Sequence, residues 1–172
     1  MHLLPRSLGA ALVLLVSSGA TAMSHASGSQ TRTFTLPAPC ARVFPYFTAE
    51  GERQWAPGWA PEMLSGDRKR GSAFRTRAPD GRVTTWIVSA YEPATHRVSY
   101  ARLAEGSNIG LVDVRCEPAD AGRSRISVSY TLTALGSEGD AYVRAFLDDA
   151  AYTAYIDEWR QQLTAALARE PR

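Results

Sequence analysis

FTLPAPCARVFPYFTAEGERQWAPGW, residues Phe34 to Trp59, is the stretch whose reading decides the fold. Phe34 and Leu36 alternate with threonine, a strand pattern that Pro37 and Pro39 bring to an end. From Cys40 to Thr48, Val43, Phe44 and Phe47 recur at helical spacing. Pro45 lies inside that run and removes a backbone donor, so the spacing predicts a short or broken helix. Ala49 to Gln54 adds one polar turn, weakened by Gly51. Trp55 to Pro61 is then a loop in which Trp55 and Trp59 flank Ala-Pro-Gly.

Upstream, the strand extends back to Thr31, after a polar lead-in at Gly28 to Gln30. Residues 1–26 have the form of a secretory signal peptide: Arg6, an apolar run from Leu8 to Val16, and small-residue sites ending at Ala22 and Ala26. Cleavage is expected after one of those two alanines, leaving residues 27–172 as a periplasmic or secreted domain without a stable membrane anchor. The apolar run falls well short of the ~20 residues a spanning helix needs. A start at Met23 would instead give a cytoplasmic protein.

Downstream, strand-like runs alternate with turn signals. They cover Gly71 to Ala78, Arg82 to Tyr91, His96 to Leu103, Ile109 to Cys116 and Arg123 to Leu135, with Asp80-Gly81 as a hairpin turn. In the last run Ile126, Val128, Tyr130 and Leu132 share one face, and Ser127, Ser129, Thr131 and Thr133 the other. Such alternation marks antiparallel strands with one buried and one wet face. The chain closes with one long helix expected over Ser137 to Ala168, capped by Ser137 and striped by Val143, Phe146, Leu147, Ala150, Tyr155, Ile156, Trp159, Leu163 and Leu167. The expected fold is therefore α+β, a single antiparallel sheet burying its apolar face against a long C-terminal helix.

This order, with PAPCARVFPYF and ERQWAPGW, resembles the START-like helix-grip superfamily, the SRPBCC group of lipid-transfer, pollen-allergen-like and polyketide cyclase or dehydrase-like proteins. WIVSAYEP (Trp86 to Pro93), HRVSYARL (His96 to Leu103) and ISVSYTLTAL (Ile126 to Leu135) fit its strand pattern, and the resemblance spans Thr31 to Ala168. It implies a curved sheet gripping the helix, with a cavity between them that takes an apolar or amphipathic small molecule. The group shares no catalytic residue, so none is carried over. A cofactor-free cyclase, dehydratase or hydrolase, and an interaction module whose cavity is filled by its own side chains, are the alternatives to a binding protein.

Eight aromatic residues are candidates to line such a cavity. Trp55 and Trp59 form a lid, or else plug the sheet edge. Trp86, Tyr100 and Tyr130 point inward from separate strands, and Tyr155 and Trp159, with Tyr152, from the helix. Packing alone accounts for any of them equally well. Asp113 and Arg115 share a strand face, but Val112 and Val114 take the inside, which leaves the pair on the outer surface. His96 is a lone histidine beside a turn. With few histidines and two separated cysteines no metal site is expected, and no nucleophile elbow or nucleotide-binding glycine motif is present. Glu52, Glu62 and Glu158 are isolated acids.

Composition excludes other partners. The 172 residues carry a formal net charge of +2, too small to favour nucleic acid. The 45% apolar and 21% charged content is that of one ordinary globular domain, with no cofactor required for its core. An exported chain could bridge Cys40 and Cys116, but a helix start and a strand end give no reason to pair, and two small buried thiols are the plainer expectation.

Overall fold

The computed structural model describes residues 24–169. Residues 1–23, most of the expected signal peptide, lie outside the described residues. Strand β1 (Ser27–Leu36) leads into helix α1 (Cys40–Val43), a single 3-10 turn (Phe44–Phe47) and helix α2 (Ala49–Glu52). Strands β2 (Glu62–Met63), β3 (Ala73–Arg77), β4 (Val83–Glu92), β5 (Arg97–Ala104), β6 (Asn108–Pro118) and β7 (Ser124–Ala134) follow, then helices α3 (Ser137–Phe146) and α4 (Asp149–Arg169).

The seven strands form one antiparallel sheet in the order β1-β7-β6-β5-β4-β3-β2. Consecutive strands pair as hairpins, and only β1 crosses to the far side, beside β7. A register shift between Val88 and Ala90 in β4 adds local twist to the sheet. Its concave face carries the core, in which Val88, Val98, Ile126, Val128 and Leu132 are fully buried. Helix α4 lies over that face with Tyr152, Ile156, Trp159, Leu163 and Leu167 turned inward. This is the helix-grip arrangement, α+β, expected from the order of elements.

Pro45 is housed in the 3-10 turn, where its missing donor breaks the helix into three pieces. Thr48 restarts it as α2 by accepting the Gly51 amide at 3.0 Å. Gly51 has a packing reason: a Cβ there would collide with the Pro45 carbonyl.

Four expectations need correction. The closing helix is two helices, not one. The first ends with Leu147 as its C-cap, and Asp148 caps the second, its Oδ1 accepting the amides of Ala150 and Ala151 at 3.1 Å each. The break shifts the phase of the stripe, so Ala150 is exposed and Tyr152 is fully buried. Ser137 makes no capping bond; Gly136 precedes the helix without one. Strand β1 begins at Ser27, four residues earlier than expected, because it pairs with β7 along its whole length. Cys40 and Cys116 are joined in a disulfide, with Cα atoms 5.7 Å apart. The sheet's curl brings the inward-facing end of β6 under the start of α1, a proximity that strand and helix assignments do not encode.

Candidate functional site

Sheet, α2, the Trp loop and the helices enclose a cavity of about 530 Å3. Of the eight aromatics named from the sequence, seven lie in its wall: Trp55, Trp59, Trp86, Tyr100, Tyr130, Tyr155 and Trp159. Tyr152 does not; it is core, its hydroxyl donating to the Val128 carbonyl at 2.9 Å.

The two loop tryptophans are fixed rather than free. Trp55 Nε1 donates to the Tyr46 carbonyl at 2.8 Å, and its ring meets Trp159 edge to face at 5.1 Å. Trp59 Nε1 donates to the Ala49 carbonyl at 2.8 Å, and its ring stands edge-on to Phe74 and Trp86. The broken helix thus supplies the carbonyls that hold the loop's rings. Trp86 stacks on Phe74 at 5.8 Å and donates to Thr76. Edge-to-face and offset pairs of this kind keep large rings in one orientation.

The polar groups divide into committed and uncommitted. The Tyr100 hydroxyl donates to the Phe47 carbonyl at 2.8 Å, so it braces the 3-10 turn. The hydroxyls of Tyr130 and Tyr155 share a hydrogen bond at 3.3 Å, which leaves capacity on both. Burial pushes the phenols of Tyr100 and Tyr130 well above the ordinary value, and that of Tyr155 to about 12. All three are therefore neutral at physiological pH.

Among the wall residues not assigned to a cavity from the sequence are Glu52, Arg102, Tyr142 and Phe146. Glu52, at the end of α2, is half-buried in the wall, and burial holds its carboxyl well above the carboxylate range. Among the described residues its carboxyl has no hydrogen-bond or ion-pair partner, its bonds being those of the backbone. It lines the same cavity as Tyr100, Tyr130 and Tyr155. Arg102 projects from the concave face of β5; its signal was there to read, since period two places it beside Tyr100. Tyr142 and Phe146, one helical turn apart on α3, stack on each other at 5.8 Å and close one end against Tyr130. The exposed wall residues Pro57, Gly58, Ala78 and Pro79 mark the mouth, between the Trp loop and the β3–β4 hairpin.

The remaining candidates lie elsewhere. Asp113 is on the outer face, where it accepts from Ser99 and from Arg97 at 3.2 Å rather than pairing with Arg115. His96 sits in the β4–β5 turn with φ of 51° and packs edge-on to Phe44. Among the described residues no cluster of three or more His, Cys, Asp or Glu could hold a metal ion, and no helix is long and apolar enough to cross a membrane.

A curved antiparallel sheet gripping a helix over an aromatic cavity defines the START-like, helix-grip class of proteins. Residues 27–169 match the family described as polyketide cyclase / dehydrase and lipid transport, and the chain belongs to it. No curated protein matches the chain by sequence. Among solved structures it is similar to Ara h 8.0201, at 21% identity and a TM-score of 0.60, over 82% of this chain and 95% of that one. The aromatase/cyclase Zhui from Streptomyces sp. R1128 shares 16% identity with a TM-score of 0.63, over 86% and 97% of the two chains. Norcoclaurine synthase from Thalictrum flavum, in complex with dopamine and hydroxybenzaldehyde, shares 11% identity with a TM-score of 0.63, over 95% and 100%. At these identities the likeness shows the fold alone.

Proposed function

We propose that this protein binds a hydrophobic or amphipathic small molecule, with aromatic or polyketide-like character, in the cavity between sheet and closing helices. The observation that carries the reading is the cavity itself: about 530 Å3, walled by fixed aromatic rings with a few convergent polar groups. That volume is within the ~300–1,000 Å3 of small-molecule sites. Trp55, Trp59, Trp86 and Trp159 are assigned to the ligand's apolar body, and Tyr130 with Tyr155 to a polar group on it; Tyr100 serves as wall. The test is native mass spectrometry and organic extraction of protein purified from its own host. A co-purifying apolar or aromatic compound is the expected result, and a ligand-free protein that takes up none from a host lipid extract overturns it.

Glu52 favours a second reading, acid–base catalysis. A neutral carboxyl in the wall of a cavity shared with three phenols can give its proton to a ligand carbonyl oxygen and take one back from the adjacent carbon. The C–H electron pair becomes the C=C bond of the enol, the starting point of ring closure. Loss of turnover on a poly-β-keto or β-hydroxyketone substrate in Glu52→Gln, with binding retained, would support it; full turnover in that variant rules it out.

We further propose export, with the signal lying within residues 1–26. The Cys40–Cys116 bridge supports this, since such bridges persist in oxidising compartments. Cleavage after Ala22 fits the fold better than cleavage after Ala26, because Ala26 donates its amide to Asp140 at 2.6 Å and accepts from Ala134. Sequencing the mature amino terminus decides between the sites, and a formylated start at Met23 contradicts export.

A further inference from the structure

Arg102 is a buried cation in the cavity wall for which the fold supplies no counterion. It stands on β5 between Tyr100 and Ala104 on the concave face, 8% exposed. Its register partner on β4 is Trp86, and the guanidinium carbon lies 5.2 Å from that ring's centroid. Nε is buried with no hydrogen-bond partner, and among the described residues no carboxylate pairs with the side chain. A ring face repays only a small part of the hydration a guanidinium loses on burial.

The other cavity groups do not fill the gap. Glu52 shares the wall but is held towards its neutral form, and Glu158 is exposed on α4, bonded instead by Gln162 at 2.8 Å. The three phenols are neutral as well. A desolvated, fork-shaped donor beside a stack of rings is chemically complementary to a planar oxyanion on an aromatic body.

We propose that Arg102 anchors the anionic head group of an aromatic ligand, a carboxylate or comparable oxyanion, while the ligand's rings lie against Trp86 and the Trp loop. The proposal rests on the cavity being a binding site and adds to it the charge and shape of what is bound. Neutral lipids and hydrocarbons would fill the same space without engaging the guanidinium.

The test uses two fluorescent probes of one scaffold, 8-anilinonaphthalene-1-sulfonate and N-phenyl-1-naphthylamine, which differ by the sulfonate. Both are titrated against the wild type and Arg102→Met, which keeps an unbranched apolar stem. The wild type is expected to bind the sulfonate more tightly by about tenfold or more, and Arg102→Met to lose that preference while binding the neutral probe as before. Displacement of the sulfonate by 2-naphthoate but not by 2-acetylnaphthalene carries the result over to a carboxylate. Equal wild-type affinity for the two probes, or an equal loss of both in the variant, overturns the anchor and leaves the cavity reading standing. No binding of either probe overturns both. Should Arg102→Met fail to fold, the wild-type preference and the naphthoate displacement decide the matter alone.

Discussion

The hydroxyl oxygens of Tyr130 and Tyr155 lie 3.3 Å apart where the sheet meets the closing helix, a bond that leaves hydrogen-bonding capacity on both towards the cavity. Burial raises the Tyr155 phenol from 10.0 to about 12. The folded state therefore keeps a proton that the unfolded state releases. The stability this contributes is complete below pH 10 and declines as the pH rises towards 12. Absorbance-monitored alkaline titration should show this phenol ionising late, and the late component should shrink in Tyr155→Phe. That variant should lose about 1 kcal/mol at neutral pH, since Tyr130 gives up its partner.

Glu52 gives the opposite dependence to an ordinary surface carboxylate. Its carboxyl is raised above 4.5 by burial, so the folded protein holds a proton that the unfolded chain gives up. Stability falls as the pH climbs from the unfolded value through the folded one, and the loss is complete above it. Glu52→Gln, which keeps the shape and removes the charge, should be more stable than the wild type at neutral pH and should show a flatter dependence through the acid-to-neutral range. Denaturant midpoints across that range measure it. Equal slopes for the two proteins would mean that the carboxyl is hydrated and ordinary.

Much of the fold was legible because one face of each central strand is wet. Ile126, Val128, Tyr130 and Leu132 alternate with serines and threonines, and the structure buries the first set and leaves the second at the surface. The strand and helix rings of the aromatic wall were legible in the same way, each lying on an inward phase, whereas Trp55 and Trp59 belong to a loop with no period. What failed to show were features that depend on the third dimension or on a polar residue used locally. The first half of β1 is exposed on both faces, so no alternation announces it. Asp148 restarts the closing helix with a cap that looks like any acid in an amphipathic run. Glu52 reads as solvent-facing until the Trp loop folds over it.

The disulfide was hidden for the same geometric reason, and it has a measurable consequence. Cys40 and Cys116 are separated by 76 positions, so the bridge closes a long loop in the unfolded chain. Chain-entropy reasoning assigns such a loop about 4 kcal/mol. The double variant Cys40→Ala/Cys116→Ala, or the wild type with reductant, should melt lower by ~10 °C for a domain of this size. Intact mass under non-reducing conditions should show the loss of two hydrogens. A wild-type melting curve unmoved by reductant, with the bridge shown to be cut, would remove the bridge from the account of stability.

Gly51 offers a test of how the broken helix holds the cavity wall. A Cβ at this position would meet the Pro45 carbonyl and crowd the Tyr46 backbone, whereas helix propensity alone favours alanine here. The two effects have opposite signs, and the steric one should win because the opposing atoms are backbone rather than a movable side chain. Gly51→Ala is expected to destabilise by about 2 kcal/mol or more, in the range of overpacked sites. The shift should not stay local. Tyr46 and Ala49 supply the carbonyls that hold Trp55 and Trp59, and Phe47 the one that holds Tyr100. Near-ultraviolet circular dichroism should therefore lose tryptophan fine structure in Gly51→Ala while the far-ultraviolet spectrum keeps its shape. A variant as stable as the wild type, with an unchanged aromatic spectrum, would show that α2 can move away from the turn without disturbing the rings.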